Sequence, residues 1–234
     1  MTAAEPRELV VAEIFGPTLQ GEGPSAGRRC GFLRLGGCNL DCAWCDTPYT
    51  WDWSRHSRDD ELRRMSPPAI LDRVAAMDVD MLVITGGEPM LQQEQLMPVL
   101  EAARARGWRI EVETNGTRRP LPELVPLVTQ FNVSPKLASA GVTRERPVDA
   151  DALGALLATG RAVFKFVVTA LEDLAEVDTI VGEHELHPVY LMPEGTDAPR
   201  ILEGMRRLAA PALARGYNLS PRLHILLWGD ERGR

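Results

Sequence analysis

The chain has 234 residues, 44% of them hydrophobic and 25% charged, which is enough to bury a full core as one domain. Its 33 acidic residues outnumber 26 basic ones for a formal charge of -7, excluding a duplex-binding surface built on clustered cations. Nowhere does a run of about 18 apolar residues occur, and the stretch from Met1 to Glu5 lacks an apolar signal core, so the expectation is a cytoplasmic protein with no membrane or nucleic-acid partner.

In chain order, Leu9 to Phe15 and Phe32 to Leu35 read as short strands flanking the turn-rich Gln20-Gly-Glu22-Gly-Pro24. Ser66-Pro-Pro is an N-cap followed by prolines, opening a helix that runs to about Met77. Met81 to Thr85 is a buried strand, followed by a helix from Leu91 to Arg106 that stops at Gly107. Strand Arg109 to Glu113 and strand Phe131 to Val133 come next, then helix Asp151 to Ala158, strand Val163 to Val168 and helix Leu171 to Val181. Strand Val189 to Met192, helix Pro199 to Arg215 and a last strand from Arg222 to Leu227 complete the series. Such alternation implies a parallel sheet with right-handed crossovers, with too few units for an eight-fold barrel. A single α/β domain over residues 1–234, a partial (β/α) barrel, is therefore expected. Residues 47–65 read as a loop over its mouth and residues 229–234 as a frayed tail.

Cys38, Cys42 and Cys45 lie within eight residues as C-x3-C-x2-C. Three soft thiolates on one short loop select zinc, copper(I) or an iron–sulfur cluster. A structural zinc site wants four protein ligands, which Cys30 would complete, whereas three cysteines on a cubane leave one iron open for a substrate. Cys30 falls in an apolar strand, where a small buried hydrophobe is the simpler reading. Thr85-Gly86-Gly87-Glu88-Pro89 follows a buried strand at the carboxyl end, where such folds bind ligands; taken alone it is an ordinary strand-end turn. Glu113 can accept two hydrogen bonds, Asn115 can both donate and accept, and Arg34 can hold a carboxylate at two points.

The cysteine loop resembles that of radical S-adenosylmethionine (SAM) enzymes, in which the open iron chelates SAM. The runs Ile14 to Gly23, Phe32 to Leu40, Cys42 to Thr47, Thr85 to Met90, Glu113 to Gly116 and Val133 to Lys136 together look like the successive signatures of the 7-carboxy-7-deazaguanine synthase family. That resemblance implies a partial barrel of the radical SAM type, a [4Fe-4S] cluster on the three cysteines, SAM and Mg2+. It implies conversion of 6-carboxy-5,6,7,8-tetrahydropterin to 7-carboxy-7-deazaguanine with loss of ammonia, through a hydrogen atom taken from the pterin carbon bearing the carboxylate. By the same resemblance Thr85, Gly86, Gly87, Glu88, Ser134 and Lys136 hold SAM. The pterin meets Gln20, Glu22, Arg34, Glu113, Asn115 and His224, and the Thr47 hydroxyl binds magnesium. A flavodoxin- or ferredoxin-like electron donor and a homodimer are also implied. Met192 stands where some relatives have a glutamine, which puts a polar contact at that position in doubt, and the chain runs about ten residues past His224. The rival readings are a radical SAM glycyl-radical activating enzyme, which needs no pterin-shaped site, and a non-catalytic zinc module that uses Cys30.

Overall fold

The computed structural model describes residues 8–234; the residues read above for a signal core, Met1 to Glu5, lie outside the described residues. Nine strands form one sheet in the order β3-β1-β2-β4-β5-β6-β7-β8-β9. They are β1 (Leu9–Leu19), β2 (Arg29–Leu35), β3 (Arg63–Met65), β4 (Met81–Gly86), β5 (Arg109–Thr114), β6 (Gln130–Val133), β7 (Ala162–Val168), β8 (Val189–Pro193) and β9 (Asn218–Leu219). From β2 onward every neighbouring pair is parallel, and β1 alone runs antiparallel to β2 and β3. Crossovers carry α2 (Pro67–Ala75), α3 (Gln93–Ala105), α4 (Ala150–Ala158), α5 (Asp173–His184) and α6 (Ala198–Arg215), and the sheet remains the open, partial barrel expected.

Local chemistry explains the boundaries. The Asp149 carboxylate accepts from the Ala152 amide and that of Asp197 from Arg200, capping α4 and α6. Gly216 ends α6 in the left-handed conformation that costs glycine least.

A strand's two faces carry alternate residues, and here that parity divides the sheet. Leu33 and Leu35 of β2, Leu82 and Ile84 of β4, Ile110 and Val112 of β5, Phe131 and Val133 of β6, and Phe164 and Phe166 of β7 all enter the main core under the helices. The intervening Arg34, Thr85, Glu113, Ser134 and Lys165 line a cavity on the opposite face. Below it Cys30, Met81 and Val83 form a small second core, so Cys30 is a core hydrophobe, as its strand context suggests.

Three expectations are corrected. Arg222–Leu227 is no strand: pairing with β8 stops at Leu219, Pro221 follows, and α7 spans Leu223–Trp228. Short apolar runs fit either period, and here only Ile225 of α7 is buried. The segment 47–65 is not simply a loop. It contains a 3-10 turn at Pro48–Thr50, a short helix α1 (Arg58–Glu61) and the edge strand β3, which pairs Leu9 with Met65. Nor is the tail loose: the Arg232 guanidinium bonds Glu13 and Glu61 and lies 3.9 Å over the Tyr49 ring.

Candidate functional site

One cavity of roughly 240 Å³ opens at the carboxyl ends of the parallel strands. Cys38, Cys42, Cys45 and Thr47 line it together with Gln20, Glu22, Arg34, Thr85, Gly86, Gly87, Glu113, Asn115, Ser134, Lys136 and His224. Of the site residues expected from sequence, only Glu88 stays outside its wall.

The three cysteines sit on the loop between β2 and the 47–65 segment. Burial pushes the Cys38 thiol up to about 12, against the pull of the Leu40 amide 3.4 Å away. Cys42 is raised chiefly by burial as well, and the Trp51 indole donates to the Cys45 sulfur at 3.3 Å. Amide and indole donors of this kind stabilise thiolates and tune the group they bind. Among the described residues no three His, Cys, Asp or Glu side chains converge as a single-ion site requires, and Cys30 is fully buried beneath the cavity. Three thiols on one cavity wall suit a cluster with three thiolate ligands, and with Cys30 in the second core the four-cysteine zinc reading loses its fourth ligand.

The Thr85-Gly86-Gly87 turn presses β4 against the cysteine loop. A Cβ on Gly86 would lie 2.3 Å from the Leu35 carbonyl oxygen, and one on Gly87 would lie 2.3 Å from that of Gly37. Glycine is thus required for backbone-to-backbone approach. Glu88 is fully buried, and its carboxylate accepts from the Met90 and Asn115 amides and the Thr114 hydroxyl. Its side chain is therefore a bracket between two strand ends, outside the cavity wall that Thr85, Gly86 and Gly87 line. Ser134 and Lys136 do face the cavity and bond each other at 2.8 Å.

The expected pterin residues all line the cavity. Glu22, Glu113 and His224 present charge or a ring to it, while Gln20 and Asn115 divide their amides between neighbouring residues and the cavity, each keeping one free N–H. Gln20 donates to Glu113 and accepts from the Glu22 amide. Asn115 donates to Asn39 and accepts from the amide and hydroxyl of Thr117, so it braces the β5 loop and keeps one N–H for the cavity it lines. Arg34 commits its Nε to Glu13 at 2.9 Å, and its two-point grip on a carboxylate must share that guanidinium. His224 lies against Gly21, where a Cβ would sit 2.0 Å from Nδ1. Burial lowers its pKa, outweighing the opposing charge of Glu22.

Sequence reading missed Lys165 and Arg222. Lys165 is 3% exposed and bridges Glu22 and Glu113, the latter at 2.9 Å. Although burial opposes it, Lys165 and Arg222 hold the Glu22 carboxyl well below its ordinary value. Arg222 donates to Glu22 at 3.1 Å, to the Gly195 carbonyl at 2.6 Å and to Asp46 in the cysteine loop. The signal for Lys165 was present: one cation within Ala162-Val-Phe-Lys-Phe-Val-Val168, a run too apolar to leave a face in water, must find a buried partner.

Residues 33–177 match the family described as the Radical SAM superfamily, and with the three-thiol loop at the head of a partial barrel the chain belongs to that class. Along nearly its whole length it is 37% identical to 7-carboxy-7-deazaguanine synthase of Pyrobaculum aerophilum, covering 99% of this chain and 100% of the relative. It is 34% identical to the synthase of Halobacterium salinarum over 95% and 91% of the two chains. QueE from Escherichia coli superposes with a TM-score of 0.69 at 27% identity, covering 91% of this chain and 93% of that one. The chain belongs to the 7-carboxy-7-deazaguanine synthase family. Streptococcus suis SuiB bound to S-adenosylmethionine shares the fold alone, at TM-score 0.52 and 15% identity over 78% of this chain and 47% of that one.

Proposed function

We propose that this chain is a radical SAM lyase converting 6-carboxy-5,6,7,8-tetrahydropterin into 7-carboxy-7-deazaguanine with release of ammonia, on the route to queuosine and other deazapurines. Cys38, Cys42 and Cys45 hold a [4Fe-4S] cluster, and Thr85, Gly86, Gly87, Ser134 and Lys136 hold SAM. Glu22, Glu113, His224 and Arg34 hold the pterin, and the Thr47 hydroxyl is a hard oxygen ligand for Mg2+. Cluster and SAM, when bound, supply the one-electron chemistry that removes a hydrogen atom from the substrate.

The chain's own residues bind, orient and exclude water. Arg34 and the hydroxyl of Thr47 face the cavity and suit the carboxylate end of the substrate, directly or through the metal. Glu22 and Glu113 suit the guanidine-like edge. Burial favours the uncharged form of His224, in which the ring donates through one nitrogen and accepts through the other. The electron comes from a flavodoxin- or ferredoxin-like protein, and the chain works as a cytoplasmic homodimer. No described helix is long and apolar enough to cross a membrane.

One observation carries this reading: the cysteine loop and the Glu22–Lys165–Glu113 array share a single cavity, so a cluster and a polar heterocycle can meet there. The test is an anaerobic assay of the reconstituted protein with SAM, dithionite, Mg2+ and 6-carboxytetrahydropterin, following the deazaguanine by mass. Cleavage of SAM with no deazaguanine formed would leave the superfamily and remove the substrate.

A further inference from the structure

The floor of the cavity carries a charge pattern that the chemistry of SAM does not call for. Glu22 comes from the loop after β1, Glu113 from β5 and Lys165 from β7, and Lys165 is the ammonium between two carboxylates. Two buried carboxylates meeting at one cation would share a proton if that cation were absent, because like charges at such range cannot both ionise. Lys165 favours the acceptor form of both, against the burial and the neighbouring Glu22 and Glu111 charges that raise the Glu113 pKa.

The hydrogen bonds already made define what is left over. Glu113 accepts from Gln20 and Asn132 at 3.0 Å each and from Lys165 at 2.9 Å. Glu22 accepts from Arg222 and Lys165. A carboxylate offers about four lone-pair positions, so about one remains on Glu113 and about two on Glu22. Lys165 has three N–H groups and spends two of them on the carboxylates. The floor thus presents acceptors beside a donor, the complement of a 2-amino-4-oxo-pyrimidine edge with its two N–H donors and one carbonyl.

We propose that Lys165 is a specificity-determining residue, which by holding Glu22 and Glu113 as paired acceptors makes the cavity select a 2-amino heterocycle over its 2-oxo counterpart. The inference rests on the pterin reading above and goes further, assigning the selection to a residue that contributes no acceptor of its own. With Lys165 replaced by an apolar side chain, Arg222 still pairs with Glu22, so buried Glu113 takes up a proton and presents an O–H donor, which satisfies a 2-oxo group as well as a carboxylate satisfies a 2-amino group.

The experiment is anaerobic calorimetric binding to cluster-loaded enzyme with SAM and no reductant, so that nothing turns over. The probes are 6-carboxytetrahydropterin and its 2-oxo analogue. The unmodified enzyme is expected to prefer the 2-amino compound by roughly 100-fold or more, since a site built to bond a polar edge rejects the ligand that leaves its groups unpaired. Lys165→Met should reduce that preference to within about three-fold, a change in ratio that general loosening of the fold would not produce. Its affinity for the 2-amino compound should also tighten as pH rises and the shared proton leaves. If Lys165→Met does not fold, the charge-compensated Lys165→Met/Glu113→Gln pair takes its place, and it should show the same loss of preference. A preference near the unmodified value in whichever variant folds would overturn the proposal. Failure of the unmodified enzyme to bind either pterin would instead overturn the substrate reading on which it stands.

Discussion

Gly87→Ala tests whether the cysteine loop depends on the close approach of β4. An alanine Cβ would sit 2.3 Å from the Gly37 oxygen, 2.7 Å from its carbonyl carbon and 2.8 Å from Cys38 Cβ. None of these atoms is the end of a flexible side chain, so the Gly37–Cys38 backbone must retreat by roughly 1 Å to restore ordinary contact. That retreat also breaks the bond donated by the Glu88 amide to the Gly37 oxygen, 2.8 Å long. Overpacking of this kind costs about 1–3 kcal/mol and a lost hydrogen bond about 1 kcal/mol, a combined loss of roughly 2–4 kcal/mol. For a chain of this length each kcal/mol moves the melting temperature by about 2–4 °C, so a fall of roughly 5–15 °C is expected by calorimetry of the apoprotein. Because Cys38 moves with the loop, iron bound per chain after anaerobic reconstitution should fall too. Gly154→Ala is the control: nothing lies within 4 Å of its Cβ, it is inside α4, and it should gain about 0.5–1 kcal/mol. Unchanged melting and full iron content in Gly87→Ala would refute the packing argument.

Alanine at Cys38, Cys42 or Cys45 should abolish cluster loading, whereas Cys30→Ala, beneath the cavity in the second core, should retain iron and lose only about 1 kcal/mol, as chemical unfolding would report. Thr47→Ala should remove the magnesium dependence of turnover while iron content and SAM binding survive; an unchanged magnesium titration would reduce Thr47 to the residue whose carbonyl caps Thr50. His224, lowered by burial, titrates below its unfolded value of about 6.5. Between the two values the unfolded chain binds the extra proton, so stability rises with pH across that window and is lost as pH falls through it. Melting temperatures from pH 7 down to 5 should therefore drop more steeply for the unmodified protein than for His224→Gln, and parallel curves would show that burial does not depress this histidine.

Much of this architecture is legible locally. Strand and helix alternate with their own periods, so β4 to β8 and α2 to α6 are recognisable within a few residues of their ends. The short elements are not. Arg63–Met65 has no strand signature and becomes β3 only because the unpaired edge of β1 is available to it. The apolar residues of α7 fit either period, and its state is set by where pairing with β8 runs out.

By itself the sequence determined the chemistry on offer: three thiols within one eight-residue loop, a glycine pair after an apolar strand, and carboxylates at strand ends. Those facts are local and follow from covalent order. The tertiary structure alone decided what each functional group faces. Parallel register sets Glu113 against Asn132 and Lys165 against Tyr190, and strand parity sends Lys165 into the cavity while Phe164 and Phe166 go to the helices. Glu22 reaches Lys165 across 143 residues of chain and Arg222 across 200. No local period encodes such pairings; they exist because a charge removed from water must be met by another, and only the folded sheet brings the partners within reach.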